Sequence, residues 1–172
     1  MDYHNIPSND NRQGAQLKKM PDFHLEVANP DHIQGIQELL YPKYFEESCY
    51  CALTDYSEEN TLNMINEWLE NFAFVAIADG KVVGFAAMGL MRTFYKHNEA
   101  EVDMYYVLRE YRGTRVSRAL TNAIVENAKA NEVKIIYASC SSGIDEKNNN
   151  LYCNLWKKQG FKKLGTVMIW SK

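Results

Sequence analysis

No uninterrupted apolar stretch in this chain approaches the ~20 residues that cross a bilayer, and its first residues hold no signal-peptide hydrophobic region. A soluble, cytoplasmic protein is expected, with no membrane partner. Basic residues are not in excess, since the formal net charge is −3. A general nucleic-acid binder needs a basic face, so nucleic acid is not the expected partner. Cysteine is scarce. The four present, Cys49, Cys51, Cys140 and Cys153, form no CxxC pair, and no Cys/His cluster has zinc spacing. No metal site is expected, and scattered, mostly buried free thiols fit a reducing cytoplasm. Glycine is missing where nucleotide loops use it. Neither GxxxxGK[ST] nor GxGxxG occurs, which sets aside a Walker loop and a Rossmann fingerprint.

What is present is an ordinary globular composition in 172 residues, enough for one domain with one core. Residues 1–22 are polar, rich in Asn, Asp and Gln, and without periodicity; they are expected to form a flexible extension to a single domain over 23–172. "FHLEVA" alternates as a half-buried strand does. "NPDHIQGIQELLY" carries a helical face of Ile33, Ile36, Leu39 and Leu40 and ends at Pro42. "PKYFEESCYCALTDY" is irregular and aromatic, and a second helix follows Ser57 as N-cap. Two apolar runs around Asp79-Gly80 predict a hairpin, because that pair suits a tight turn with positive φ.

"AEVDMYYVL" predicts a third long strand, with Glu101, Asp103 and Tyr105 on one face and Val102, Met104 and Tyr106 on the other. A helix is expected from about Val116 to Asn131, then a buried central strand in "VKIIYASC". A short helix, "NNLYCNLWKKQ", closes at Gly160, and "FKKLGTVMIW" predicts a last strand. The order β α α β β β α β α β implies an α/β (α+β) layered domain, a mixed sheet with helices on both faces.

The turn "REYRGTRVSRAL" joins the third long strand to its helix. The first backbone N–H groups of a helix lack intrahelical partners and face an anion with the positive end of the dipole. Arg112, Arg115 and Arg118 add charge there, Thr114 and Ser117 add hydroxyls, and Gly113 admits a turn closed to other residues.

With these residues in view, "VLREYRGTRVSRAL" resembles motif A of the GNAT superfamily of N-acyltransferases, roughly V-x-P-x-Y-R-G-x-G-x-G/A-x-x-L. Val107, Tyr111, Arg112, Gly113, Val116 and Leu120 stand at matching positions. "NNNLYCNLWKKQGF" resembles motif B, N-x-x-A-x-x-L-Y-x-x-x-G-F, through Asn149, Leu155, Gly160 and Phe161. The resemblance implies a mostly antiparallel sheet with a parallel strand pair, 100–108 and 133–140, splayed around acetyl-CoA. It implies that the backbones of Val107 and Leu108 hold the pantetheine arm and polarise the thioester carbonyl. It further implies that Arg112, Gly113, Thr114, Arg115, Val116 and Ser117 wrap the pyrophosphate, with Asn149 on the pantetheine side.

The chain departs from the pattern at three places. Arg115 replaces the second glycine and Ser117 the third small residue, so crowding or backbone strain is expected at Arg115. Trp156 occupies the position of the tyrosine that protonates the leaving thiolate, and an indole N–H is not a general acid at neutral pH. Tyr152, one turn earlier, is the expected substitute, with Trp156 left as a cofactor contact. An alkyl amine is mostly protonated at pH 7, so a base is useful, and Glu101 and Asp103 are its candidates. The resemblance implies that the acceptor groove is built from 41–56 and 91–99. There Tyr44, Phe45, Glu46, Glu47, Tyr50 and Asp55 suit a cation between aromatic walls, with Tyr105 nearby.

The expected activity is direct acetyl transfer from acetyl-CoA to a primary amine, on a small molecule or a protein. A homodimer is compatible with it. Two alternatives stay open: a GNAT-fold module that binds CoA or a partner without transfer, and a nucleobase-modifying relative.

Overall fold

The structure is a computed structural model that describes residues 22–92, 96–139 and 142–165. Five strands form one sheet in chain order: β1 (Phe23–Val27), β2 (Phe72–Ala78), β3 (Lys81–Met91), β4 (Asn98–Val107) and β5 (Val133–Ala138). The first four pair antiparallel, and β4 with β5 is parallel. The β2–β3 turn uses Asp79 at φ 49° and Gly80 at φ 72°, the positive φ that the Asp-Gly pair predicts.

Before β2, the chain forms α1 (Ile33–Glu38), the single turn α2 (Phe45–Glu47) and α3 (Glu58–Leu69). Asn29 and His32 cap the entry to α1 reciprocally, and Ser57 accepts from the Asn60 N–H at the start of α3. The predicted first helix does not simply end at Pro42. Tyr41 leaves helical geometry (φ −135°, ψ 127°), the Tyr41–Pro42 bond is cis, and the chain becomes helical again through Glu47. The aromatic stretch therefore holds a helical turn and a short 3-10 turn at Cys49–Ala52. Beyond the hairpin come α4 (Arg115–Ala130) and α5 (Glu146–Lys158), the latter capped by Asp145 and followed by Gly160 at φ 92°.

Two cores flank the sheet. Ile36, Leu39, Ile65 and Trp68 of the α1–α3 side pack on Val75, Phe85 and Ala87. Val116, Leu120, Ile124 and Ala128 of α4, with Trp156 of α5, pack on Ala86, Met88, Ala100 and Val102. Helices thus cover both faces, as expected.

Three details differ from the sequence reading. Among the described strands β5 lies at the edge, and its residues are half-buried or exposed rather than enclosed, with Ile135 39% exposed. Residues 161–165 are irregular, and the remainder of the predicted last strand, like residues 1–21, lies outside the described residues. Cys49 and Cys51 are exposed rather than buried, because the 3-10 turn carrying them sits on the surface; Cys140 lies outside the described residues.

β4 also breaks simple alternation. Met88 pairs with Val102 and Ala87 with Met104, so Asp103 has no partner across β3 and forms a bulge. One extra residue reverses the parity of facing. Val102 and Tyr105 both pack on the α4 side, whereas Met104 and Tyr106 pack on the α1–α3 side. Tyr105 therefore does not share a face with Glu101 and Asp103.

Candidate functional site

β4 and β5 are paired only up to Val102–Ala138. Beyond that point the strands part, and a cleft of about 970 Å³ opens between β4, the start of α4 and α5. Leu108 donates its N–H to the Val83 carbonyl (2.9 Å), so Leu108 is tied to β3. Antiparallel alternation then turns the N–H and C=O of Val107 away from β3 and toward the splay. Of the two backbone donors expected to polarise a carbonyl, Leu108 is thus already used, and Val107 is the one directed at the cleft.

The cleft floor leads to the N-terminus of α4. Thr114 is its N-cap: Oγ1 accepts from the Val116 N–H (3.2 Å) and donates to the Tyr111 carbonyl (2.5 Å). Gly113 takes φ 72°, and no atom lies within 4 Å of where a Cβ would stand, so the glycine serves conformation rather than space. Gly113, Thr114, Ser117 and Arg118 line the cleft. Arg115 does not. It is the first residue of α4, exposed, with negative φ, so the strain expected of a non-glycine residue there is absent. Val116 is fully buried beneath the turn.

Arg112 crosses the cleft. Its Nε donates to the Val107 carbonyl (2.9 Å) and Nη1 to Asn148 Oδ1 (3.5 Å), while Nη2 pairs with Glu47 of α2. The guanidinium carbon stands 5.1 Å from the Tyr106 ring centroid, a cation–π contact. Tyr44 meets Tyr106 edge-on at 5.3 Å. Burial, then the Glu47 charge, raises the Tyr106 phenol to about 12, with Arg112 pulling the other way. Burial, with Tyr50 and Cys49 nearby, likewise raises Tyr44 to about 12.

Of the two acidic candidates on β4, Asp103 lines the cleft, and Glu101 borders an adjoining pocket of about 300 Å³. They remain neighbours. Burial raises the Asp103 carboxyl above the ordinary aspartate range, and the Glu101 charge adds to the rise. Asp103 rests on Gly89 of β3, where a Cβ would fall 2.7 Å from Asp103 Oδ2.

On the opposite wall, Tyr152 lines the cleft with its ring 5.3 Å from that of Tyr105. Tyr105 also lines it, but its hydroxyl donates to the Ser117 carbonyl (3.0 Å), and burial holds its pKa far above the usual value. Trp156 is buried behind these rings, borders the smaller pocket, and has an indole N–H without a partner. Asn149 Oδ1 accepts from the N–H and Oγ of Ser142, fastening the loop before α5; its neighbour Asn148 is the one on the cleft wall. Tyr44 lines the cleft, whereas Phe45 packs with Tyr41 and Tyr56 away from it.

Gly89, Asn148 and Tyr106 were not singled out from sequence as site residues. Neither Gly89's place beneath Asp103 nor Arg112's partner 65 residues away has a local sequence signal.

A sheet opened between two parallel strands, with a helix N-terminus and its basic turn at the mouth, defines a binder of an extended, anionic ligand. The family model of the acetyltransferase (GNAT) family matches residues 33–161, and the chain belongs to that family. Solved structures share the fold at low identity. The aminoglycoside acetyltransferase AAC(6')-Iy, in complex with a bisubstrate analogue of CoA and acetylneamine, is 16% identical with TM-score 0.64, covering 88% of this chain and 98% of that one. A predicted acetyltransferase from Clostridium acetobutylicum, with acetyl-CoA, is 14% identical with TM-score 0.67, covering 87% and 96%. The aminoglycoside acetyltransferase meta-AAC0020, from an uncultured soil metagenomic sample and in complex with sisomicin, is 12% identical with TM-score 0.64, covering 87% and 95%. A comparison with curated protein sequences finds no match.

Proposed function

We propose that this protein transfers an acetyl group from acetyl-CoA to a primary amine by direct attack. The observation that carries the reading is the splayed edge of β4, where Val107 turns its backbone into a cleft that ends at the N-terminus of α4. The open Gly113 turn, the Thr114 cap and Arg118 fit a pyrophosphate, and the Val107 edge fits an amide-bearing arm laid beside it as an added strand. When bound, acetyl-CoA supplies an acetyl group activated as a thioester.

The chain's own groups then have definite tasks. Asp103 Oδ takes the proton that an alkylammonium acceptor must lose, and its raised pKa makes it a better base than a solvated aspartate. Burial raises that pKa first, and the Glu101 charge adds to the rise. The Val107 N–H points where a polarised carbonyl oxygen needs a donor. Tyr152 Oη holds the proton that a departing thiolate requires, the task that the buried Trp156 indole cannot perform.

Calorimetry with acetyl-CoA and CoA tests the first half of the reading: micromolar binding is expected, and no heat with no thermal shift would overturn it. Thiol release on a panel of mono- and polyamines tests the second half. Binding without transfer to any amine would favour a CoA-binding module instead.

A further inference from the structure

Arg112 occupies two places at once. Its Nε sits on the Val107 carbonyl, the edge that an added strand needs, and its Nη2 fills a corner made by Glu47, Tyr106 and Tyr44. That corner has the chemistry of a cation receptor: a carboxylate, an aromatic face under the charge and a second ring set edge-on. Glu47 is about one-third exposed and does not itself line the cleft, whereas Arg112 does. A ligand that pairs with the Val107 edge removes one of the arginine's anchors. Its phosphates, arriving at Gly113 and Thr114, offer the guanidinium a stronger partner.

We propose that the Glu47–Tyr106–Tyr44 corner is the recognition point for a cationic group on the acceptor, and that Arg112 fills it until the cofactor draws the arginine away. The inference rests on the function proposed above and names its substrate class. The nitrogen that attacks must be neutral, so a cation held in the corner is a second group on the same molecule. The acceptor is then a di- or polybasic amine rather than a monoamine, and it enters after the cofactor.

Two measurements test this without knowledge of the acceptor. In calorimetry with CoA, Glu47→Gln is expected to bind roughly fivefold tighter than wild type, because the arginine is no longer held. The gain should vanish in an Arg112→Ala background. A gain that persists there would mark a general charge effect, and no gain or a weaker affinity would remove the exchange altogether; either result overturns the proposal. In the second measurement, methylguanidinium is titrated into the ligand-free proteins and followed by tyrosine fluorescence. Saturable millimolar binding is expected in Arg112→Ala and not in wild type or in the Glu47→Gln/Arg112→Ala double variant. An Arg112→Ala protein that folds, by circular dichroism, and binds no better than wild type refutes the corner as a cation site. If Arg112→Ala does not fold, Arg112→Gln replaces it in both measurements. A wild type that binds no CoA would sink the proposed function itself, whereas CoA binding with an unresponsive Glu47→Gln sinks only this inference.

Discussion

At the scale of single residues, Asp103 joins chemistry to stability. Its pKa is raised in the folded state, so the fold binds that proton more tightly than the unfolded chain does. Its favourable contribution is complete below the ordinary aspartate value and is lost as pH rises through the raised one. Asp103→Asn should therefore melt slightly higher than wild type at pH 7, with the difference vanishing near pH 3.5–4, as differential scanning calorimetry across that range would report. The same variant should lower turnover ~10²-fold or more while leaving the CoA dissociation constant within about twofold. Gly89→Ala should reproduce the turnover loss in part, because its Cβ would stand 2.7 Å from the Asp103 carboxylate and displace it. Unchanged turnover in both variants would move the base elsewhere. The neighbourhood of Glu101 and Asp103 was legible in the sequence, since two residues apart on a strand share a side. Tyr105 was misassigned because a bulge leaves no mark in composition: the extra residue looks the same as one in register.

Among elements, α4 positions the mouth of the cleft. Its cap and its seating are separate contributions. Thr114→Ala removes the oxygen that accepts the Val116 N–H and should cost about 1 kcal/mol in urea unfolding. Gly84 of β3 seats the helix from below: a Cβ there would lie 2.8 Å from Leu120 Cδ1, at the centre of the α4-side core. Gly84→Ala should cost about 1–3 kcal/mol and weaken CoA binding as well, because α4 must lift. A loss of stability with unchanged binding would show that the mouth does not depend on this seat. Arg115→Ala should leave CoA affinity within about twofold, since its side chain is exposed and off the cleft wall. The helix, its start and its apolar stripe were legible because capping and periodicity are local. The partners of Arg112 were not, because Glu47 and Asn148 come from elements far away in the chain.

For the whole molecule, the two cores share one sheet and the cleft lies where that sheet stops being continuous. A ligand bound there bridges β4, α4 and α5, so it should raise the melting temperature of the whole domain. At 100 times its dissociation constant CoA should add about 2.7 kcal/mol. A thermal shift matching the calorimetric affinity would check this, and a biphasic melt would argue that α5 unfolds separately. The order of elements was legible because each carries its own turn or cap, whereas the exposure of β5 was not: an apolar run does not declare how much of it will be covered.

The bulge at Asp103 also constrains how this chain can vary in length. Glu101 precedes it, Asp103 is the bulged residue itself, and the Val107 edge follows. Removing Asp103 would restore regular pairing and leave Val102, Met104 and Tyr105 facing as they do now. The Val107 edge would keep its place, and the candidate base would be gone. The one surplus residue of β4 is thus the candidate base itself, so a strand shortened by that residue would keep its sheet and lose its chemistry.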